Sequence, residues 1–331
     1  MAAILGIIAP IFALIGLGWL GLRVGVFRPG DQRVLSGLVM NFALPALLCG
    51  AIARRDLADV LQPGYLLVFL AAGLGSMALT YGAFLAQGQG RARAATAAMG
   101  ASCANSGFVG FPVMLMVFPD AAGMILALNF LVENLVQIPL ALVLIGLARP
   151  EAQAGGVLRM AAHSVLGLLR RPLVIGLLVG LALSALQLPV PAPVIKVLDL
   201  LAASAAPVAL ISIGVAIAGY PLQADRGAAL QISLAKLLLH PALAVALLLV
   251  LPGFGLPVPE GMMATALVLS AAMPMFSVYP LFAQECGCEG LAALSVVMAT
   301  VMAAVTLSGA LLWLLQGGAG AKPVGNNILP L

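Results

Sequence analysis

Ala104-Asn105-Ser106-Gly107-Phe108-Val109-Gly110-Phe111-Pro112 lies inside an apolar run spanning residues 94–117. Two glycines, a proline, an amide and a hydroxyl within one short stretch are poor material for a continuous helix. Proline removes a backbone donor and frees a carbonyl. In lipid, groups freed in this way must be met by protein or by water in a cavity. The stretch therefore predicts a spanning helix broken near the membrane midplane. A second stretch, Ser270-Ala271-Ala272-Met273-Pro274-Met275-Phe276-Ser277, predicts the same break in the run 261–284. Paired interrupted helices in matching positions of two halves are a strong sequence pointer to a transporter's binding site. For either stretch alone, the alternative is a proline kink packed by glycine, with no ligand.

The composition requires lipid. Hydrophobic residues make up 63% of the 331-residue chain and charged residues 8%, with a mean hydropathy of +1.18. A soluble domain carries about 25% charged residues, far more polar surface than this chain can supply. The formal charge of +4 is small and scattered, which excludes a nucleic-acid partner. Cys49, Cys103, Cys286 and Cys288 lack the spacing of a secreted disulfide framework. Cys286-Gly287-Cys288 has no neighbouring His or Cys to complete a metal or redox pair, so neither a metal nor a cofactor is expected and the role of the pair stays open. The first apolar run has no basic region before it and no small-residue cleavage site, and reads as a spanning segment.

A spanning helix needs about 20 apolar residues. Charge and turn breaks divide the chain into spans at 3–21, 34–53, 64–86, 94–117, 121–148, 168–187, 194–219, 228–251, 261–284 and 290–315. The odd-numbered loops hold ten Lys and Arg residues and the even loops and termini four. This bias places the odd loops in the cytoplasm and both termini in the periplasm. Arg54-Arg55 opposes that orientation locally, partly offset by Asp56 and Asp59. Pro10, Pro29, Pro45 and Pro112 each have a partner 162 residues later, at Pro172, Pro191, Pro207 and Pro274, and Gly18 maps onto Gly180. The expected fold is therefore all-α and integral to the membrane, with ten helices in two inverted five-helix repeats. The repeats fall at 1–148 and 163–318, with a cytoplasmic linker at 149–162 and an external tail at 319–331.

An anion suits the two breaks. Half-helix N-termini offer unpaired N–H groups and partial positive charge. Asn105 adds an amide, and Ser106 and Ser277 add hydroxyls. Gly107, Gly110, Pro112, Pro274 and Met275 complete the candidate substrate-binding set. In the fifth span Asn129, Glu133 and Gln137 lie four apart, on one helix face, beside Asn134. Glu133 is a candidate to titrate in a proton-coupled cycle; the alternative is a stripe of structural hydrogen bonds. Asn41 in the second span is a further supporting polar group. Lys196 and Asp199 are expected to pair with each other near the outer interface. Lys236 is expected to snorkel to the cytoplasmic face, a ligand role for it or for His240 being the alternative. His163 reads as surface, and Gly176 with Gly180 as a helix-packing pair.

Four motifs together resemble the auxin efflux carrier family of bacterial permeases, relatives of the plant PIN proteins. They are Asn41-Phe42-Ala43-Leu44-Pro45, Asn105 through Pro112, Pro207-Val208-Ala209-Leu210-Ile211-Ser212-Ile213-Gly214, and Ala272-Met273-Pro274 through Pro280 to Glu285. The similarity covers essentially the whole chain. It implies a scaffold of spans 1, 2, 6 and 7 and a moving domain of spans 3–5 and 8–10, with an elevator-like motion and a scaffold-mediated homodimer. It also implies that Asn105 binds substrate, that Pro112 and Pro274 are the crossover prolines, and that Lys196 matches a lysine of the PIN proteins. The third span lacks the acidic residue that PIN proteins carry near the site, which argues against auxin. Malonate or a similar small carboxylate, carried across the bacterial inner membrane, is the expected substrate. The runner-up is a sodium- or proton-coupled symporter of the bile-acid type. A channel would not need paired broken helices. An intramembrane enzyme would need a nucleophile or metal cluster that two separated histidines do not supply, so no enzymatic activity is expected.

Overall fold

A computed structural model describes residues 2–28, 30–55, 61–148, 170–219 and 225–315. The linker 149–162, His163, the tail 319–331, Pro29, Asp56, Asp59, Arg149, Arg159 and Lys322 lie outside the described residues. The described residues are mostly helical and form no strand, apart from one isolated bridge. It forms α1 (Ala2–Arg23), α2 (Asp31–Ala53), α3 (Pro63–Ala86), α4 (Gly90–Ser102), α5 (Ser106–Val117) and α6 (Ala122–Leu147). There follow α7 (Pro172–Ala185), α8 (Ala192–Gly219), α9 (Arg226–Phe254), α10 (Gly261–Ala272), α11 (Tyr279–Ala283) and α12 (Glu289–Leu315). Among the described residues, seven helices are long and apolar enough to cross a membrane: α1, α2, α3, α6, α8, α9 and α12. α5, α7 and α10 are shorter apolar helices.

Proline chemistry shapes the long helices. In α2, α5, α6 and α9 a widened turn precedes a proline, at Val39–Ala43, Ser106–Gly110, Glu133–Gln137 and Ala235–Leu239. In each case the N–H of the residue just before the proline reaches back five residues: Leu44 to Val39, Phe111 to Ser106, Ile138 to Glu133 and His240 to Ala235. The proline ring has no N–H and crowds the turn behind it, and one extra residue in that turn relieves the crowding. Pro10 and Pro207 instead lie within continuous α1 and α8.

Lipid gives helices no hydrophobic reason to associate, so close packing of small residues must do it. α1 and α8 cross at two glycines. A Cβ on Gly214 would sit 1.9 Å from the Ile15 carbonyl oxygen, and one on Gly18 would sit 2.1 Å from that of Ile211. α7 packs on α2 in the same way, Gly176 against Pro45 and Gly180 against Cys49. α8 also lies along α2. Elsewhere α3 packs on α4 and α9, α4 on α6, and α12 on α9 and α11.

Two expected contacts differ. Asp199 pairs with Arg54 across α8 and α2, not with Lys196, which is exposed; the guanidinium reaches it from the end of α2 with two donors. Lys236 does not snorkel. It is wholly buried, because a backbone carbonyl inside the protein claims its ammonium.

Candidate functional site

The chain breaks twice, and the two breaks meet. α4 stops at Ser102, and Cys103 turns extended (φ −82, ψ 117). α10 stops at Ala272, and Met273 turns extended in turn (φ −63, ψ 147). The extended pieces pair as an isolated antiparallel bridge between Ala104 and Met275. The Asn105 N–H donates to the Pro274 carbonyl at 2.8 Å. The bridge thus pairs backbone groups that the two breaks expose, as burial in a membrane demands.

Asn105 is the hinge of the crossing. Its Oδ1 accepts from the Phe108 N–H at 3.3 Å, capping α5, and its Nδ2 donates to Ser277 Oγ at 2.9 Å, reaching the other broken helix. Its own carbonyl accepts from the N–H groups of Val109 and Gly110. A helix start leaves its first amides without intrahelical acceptors, and the positive end of the half-helix lies there. Asn105 is 4% exposed and Ser106 1%.

A cleft of about 540 Å³, its open mouth included, reaches this crossing. Asn105, Ser106, Gly107 and Ser277 line it, together with Glu133, Asn134 and Arg171. Phe108, Phe130, Phe276 and Phe282 supply its apolar walls. A neighbouring cleft of about 620 Å³, its open mouth included, shares Met40, Phe130, Asn134 and Arg171 with it and adds Asn41. Ser106 Oγ donates to Glu133 Oε1 at 2.6 Å. Among the described lining residues Arg171 is the one cation and Glu133 the one carboxyl. Arg171 precedes Pro172 at the start of α7.

The remaining candidates are placed elsewhere. Pro112 lies in the first turn after the widened part of α5, and Met275 is wholly buried in the bridge. Asn129 is held by Tyr65 and Ser270 at 2.7 and 2.9 Å, and Gln137 reaches the Phe69 carbonyl at 3.5 Å. The polar face of α6 therefore divides: Glu133 faces the cleft, while Asn129 and Gln137 bind neighbouring helices. Lys196 lines neither cleft. In the sequence Arg171 serves only to orient the chain; its signal, a basic pair before a helix-starting proline, gives no hint that it meets the crossing.

A further cleft of about 1230 Å³, its open mouth included, lies at the C-terminal end of α2, lined by Arg54, Arg55, Phe111, Asp120 and Asp199 among others. Arg55 donates to the Asp120 carbonyl there. Among the described residues no three His, Cys, Asp or Glu side chains form a metal-binding group.

The profile of the family described as "Membrane transport protein" matches residues 3–311. This chain belongs to that family, the auxin efflux carrier family. The protein is thus a membrane transporter. It is 29% identical over 326 residues to a Rhizobium meliloti (strain 1021) protein named "Putative malonate transporter", covering 96% of this chain and 98% of the relative. It is 27% identical over 250 residues to the "Uncharacterized transporter YfdV" of Escherichia coli (strain K12), covering 74% and 77%. In this transporter two of the motifs that carried the family resemblance meet at the crossing, where the Asn105 N–H donates to the Pro274 carbonyl.

Proposed function

We propose that the cleft binds a small carboxylate of the malonate type and that the protein is a secondary transporter carrying it across the bacterial inner membrane. The observation that carries this reading is the convergence of Arg171, Asn105, Ser277 and the N-terminal end of α5 on one cleft. A guanidinium recognises a carboxylate with two parallel donors, an amide adds a third, and the half-helix end favours negative charge. The aromatic walls limit the size of the occupant. The name of the Rhizobium meliloti relative points to the same substrate class.

The packing suggests how the site moves. α1, α2, α7 and α8 form the scaffold, and α3–α6 with α9–α12 carry the crossing past it as an elevator. The chain is read as ten spans in two inverted repeats, residues 1–148 and 163–318, with both termini periplasmic. In that orientation the Arg171 cleft opens to the cytoplasm and the Arg54–Arg55 cleft to the outside, one on each side of the crossing. Glu133 beside a bound anion calls for a proton, since two carboxylates do not share a buried site in fully ionised form. Sodium coupling of the bile-acid type is the competing reading. Dimerisation through the scaffold belongs to this proposal as well.

Thermal-shift measurements on purified protein against mono- and dicarboxylates test the binding step. A ligand that binds only the folded state adds about 2.7 kcal/mol of stability at a hundredfold excess over its dissociation constant. A dicarboxylate shift that disappears in Asn105→Ala is the expected result. A shift only with neutral solutes overturns the substrate class.

A further inference from the structure

The break after α10 leaves a carbonyl unserved. Ala271 lies in the last turn of that half-helix. The residue three ahead is Pro274, which has no N–H to give, and the residue four ahead is Met275, drawn into the bridge with Ala104. The Ala271 oxygen is met instead by Lys236, whose Nζ donates to it at 2.6 Å. Lys236 comes from the widened turn Ala235–Leu239 of α9 and has no solvent exposure. Its Nζ also lies 2.9 Å from His240 Nδ1, one turn along the same helix. If His240 accepts there, its proton is on Nε2, a buried atom without a hydrogen-bond partner.

The C-terminal end of a half-helix carries partial negative charge. In transporters with broken helices, such ends and their unwound carbonyls are where coupling cations are held. Here a primary ammonium already sits at that position. Glu133 and Cys103 are the other ionisable groups that interact with it electrostatically, besides His240. Lys236 and Glu133 thus place a basic and an acidic group inside one crossing, Glu133 in the cleft lining and Lys236 outside it.

We propose that Lys236 is a tethered cation occupying the place a coupling sodium ion would take at the end of α10, so that the crossing is charge-compensated without sodium. This rests on the transporter reading above and adds to it which ion the fold has no need of. It also gives the buried lysine a task that packing alone does not: a neutral side chain of the same length would fill its volume but leave the Ala271 carbonyl unmet.

The test compares purified native protein, Lys236→Arg, Lys236→Met and Lys236→Ala in sodium chloride and in potassium chloride of equal ionic strength. The readouts are the melting temperature and carboxylate uptake in proteoliposomes. Native protein and Lys236→Arg are expected to melt at the same temperature in both salts. Lys236→Ala, which opens room beside Ala271, is expected to melt several degrees lower in potassium and to recover part of the loss in sodium. Lys236→Met fills that room and is expected to melt low in both salts. The proposal is overturned by native uptake that needs sodium, or by Lys236→Met matching Lys236→Arg in stability and in sodium-free uptake. If Lys236→Ala does not fold, the Arg–Met comparison still decides. If the native protein neither binds nor carries any carboxylate, the substrate reading fails while the melting temperatures still report on Lys236.

Discussion

Asn105 holds three things at once: the cap of α5, the link to Ser277 and part of the cleft lining. Replacing it by Ala removes a helix cap, a loss of about 1 kcal/mol, and unties the two breaks. The variant is expected to reach the membrane folded, with a slightly lower melting temperature and no carboxylate uptake. Arg171→Gln keeps a donor but loses the charge. A hydrogen bond to a charged group is worth about 1.5–3 kcal/mol, so the carboxylate dissociation constant should rise about tenfold or more, read by titration of the thermal shift. Outside the spans, Cys286 is held below the ordinary thiol range, chiefly by its hydrogen bond with Cys288. A thiolate that persists toward acid keeps reacting with maleimide at pH values where an ordinary thiol has slowed. Labelling of Cys286 should therefore fall off at lower pH in native protein than in Cys288→Ala. Identical profiles would remove the Cys288 contact from the account.

The crossing of α1 and α8 offers a sharp test of packing. A side chain at Gly214 collides with the backbone of Ile15 and Trp19, whereas one at Gly16 on the same α1 meets nothing within 4 Å. Gly214→Val should lower stability by about 1–3 kcal/mol, the cost of overpacking, while Gly16→Ala should melt at or slightly above the native temperature. What was legible in the sequence at this scale followed from local chemistry. The chain breaks at both predicted places, at Pro274 in the second stretch, but in the first at Cys103–Asn105, just ahead of Gly107, Gly110 and Pro112, which lie within α5. The widened turns escaped because the same residue type acts in two ways: Pro45 lies behind such a turn, while its proposed mate Pro207 lies in an unbroken helix. Nothing in the adjacent residues separates the two. The burial of Lys236 is invisible in the sequence for a related reason. Its partner carbonyl lies 35 positions away and is free only because α10 stops short. Arg171 likewise belongs to the cleft through tertiary folding alone.

For the molecule as a whole, composition settled the solvent and the family match the class of activity, while the crossing is where we propose that the solute is held. The structure puts two clefts along α2, one lined by Arg171 and by Met40 in the middle of that helix, and one lined by Arg54 and Arg55 at its C-terminal end. In an elevator the crossing is exposed to one and then to the other. The central claim is that a carboxylate held at Asn105 and Arg171 is what moves. Uptake of radiolabelled malonate into proteoliposomes, native protein beside Asn105→Ala and Arg171→Gln, tests it most directly. The account predicts saturable uptake by native protein that unlabelled small carboxylates compete away, absent in Asn105→Ala and shifted to higher substrate concentration in Arg171→Gln. Saturable malonate uptake that is unchanged in both variants would contradict it, placing the substrate elsewhere than the crossing.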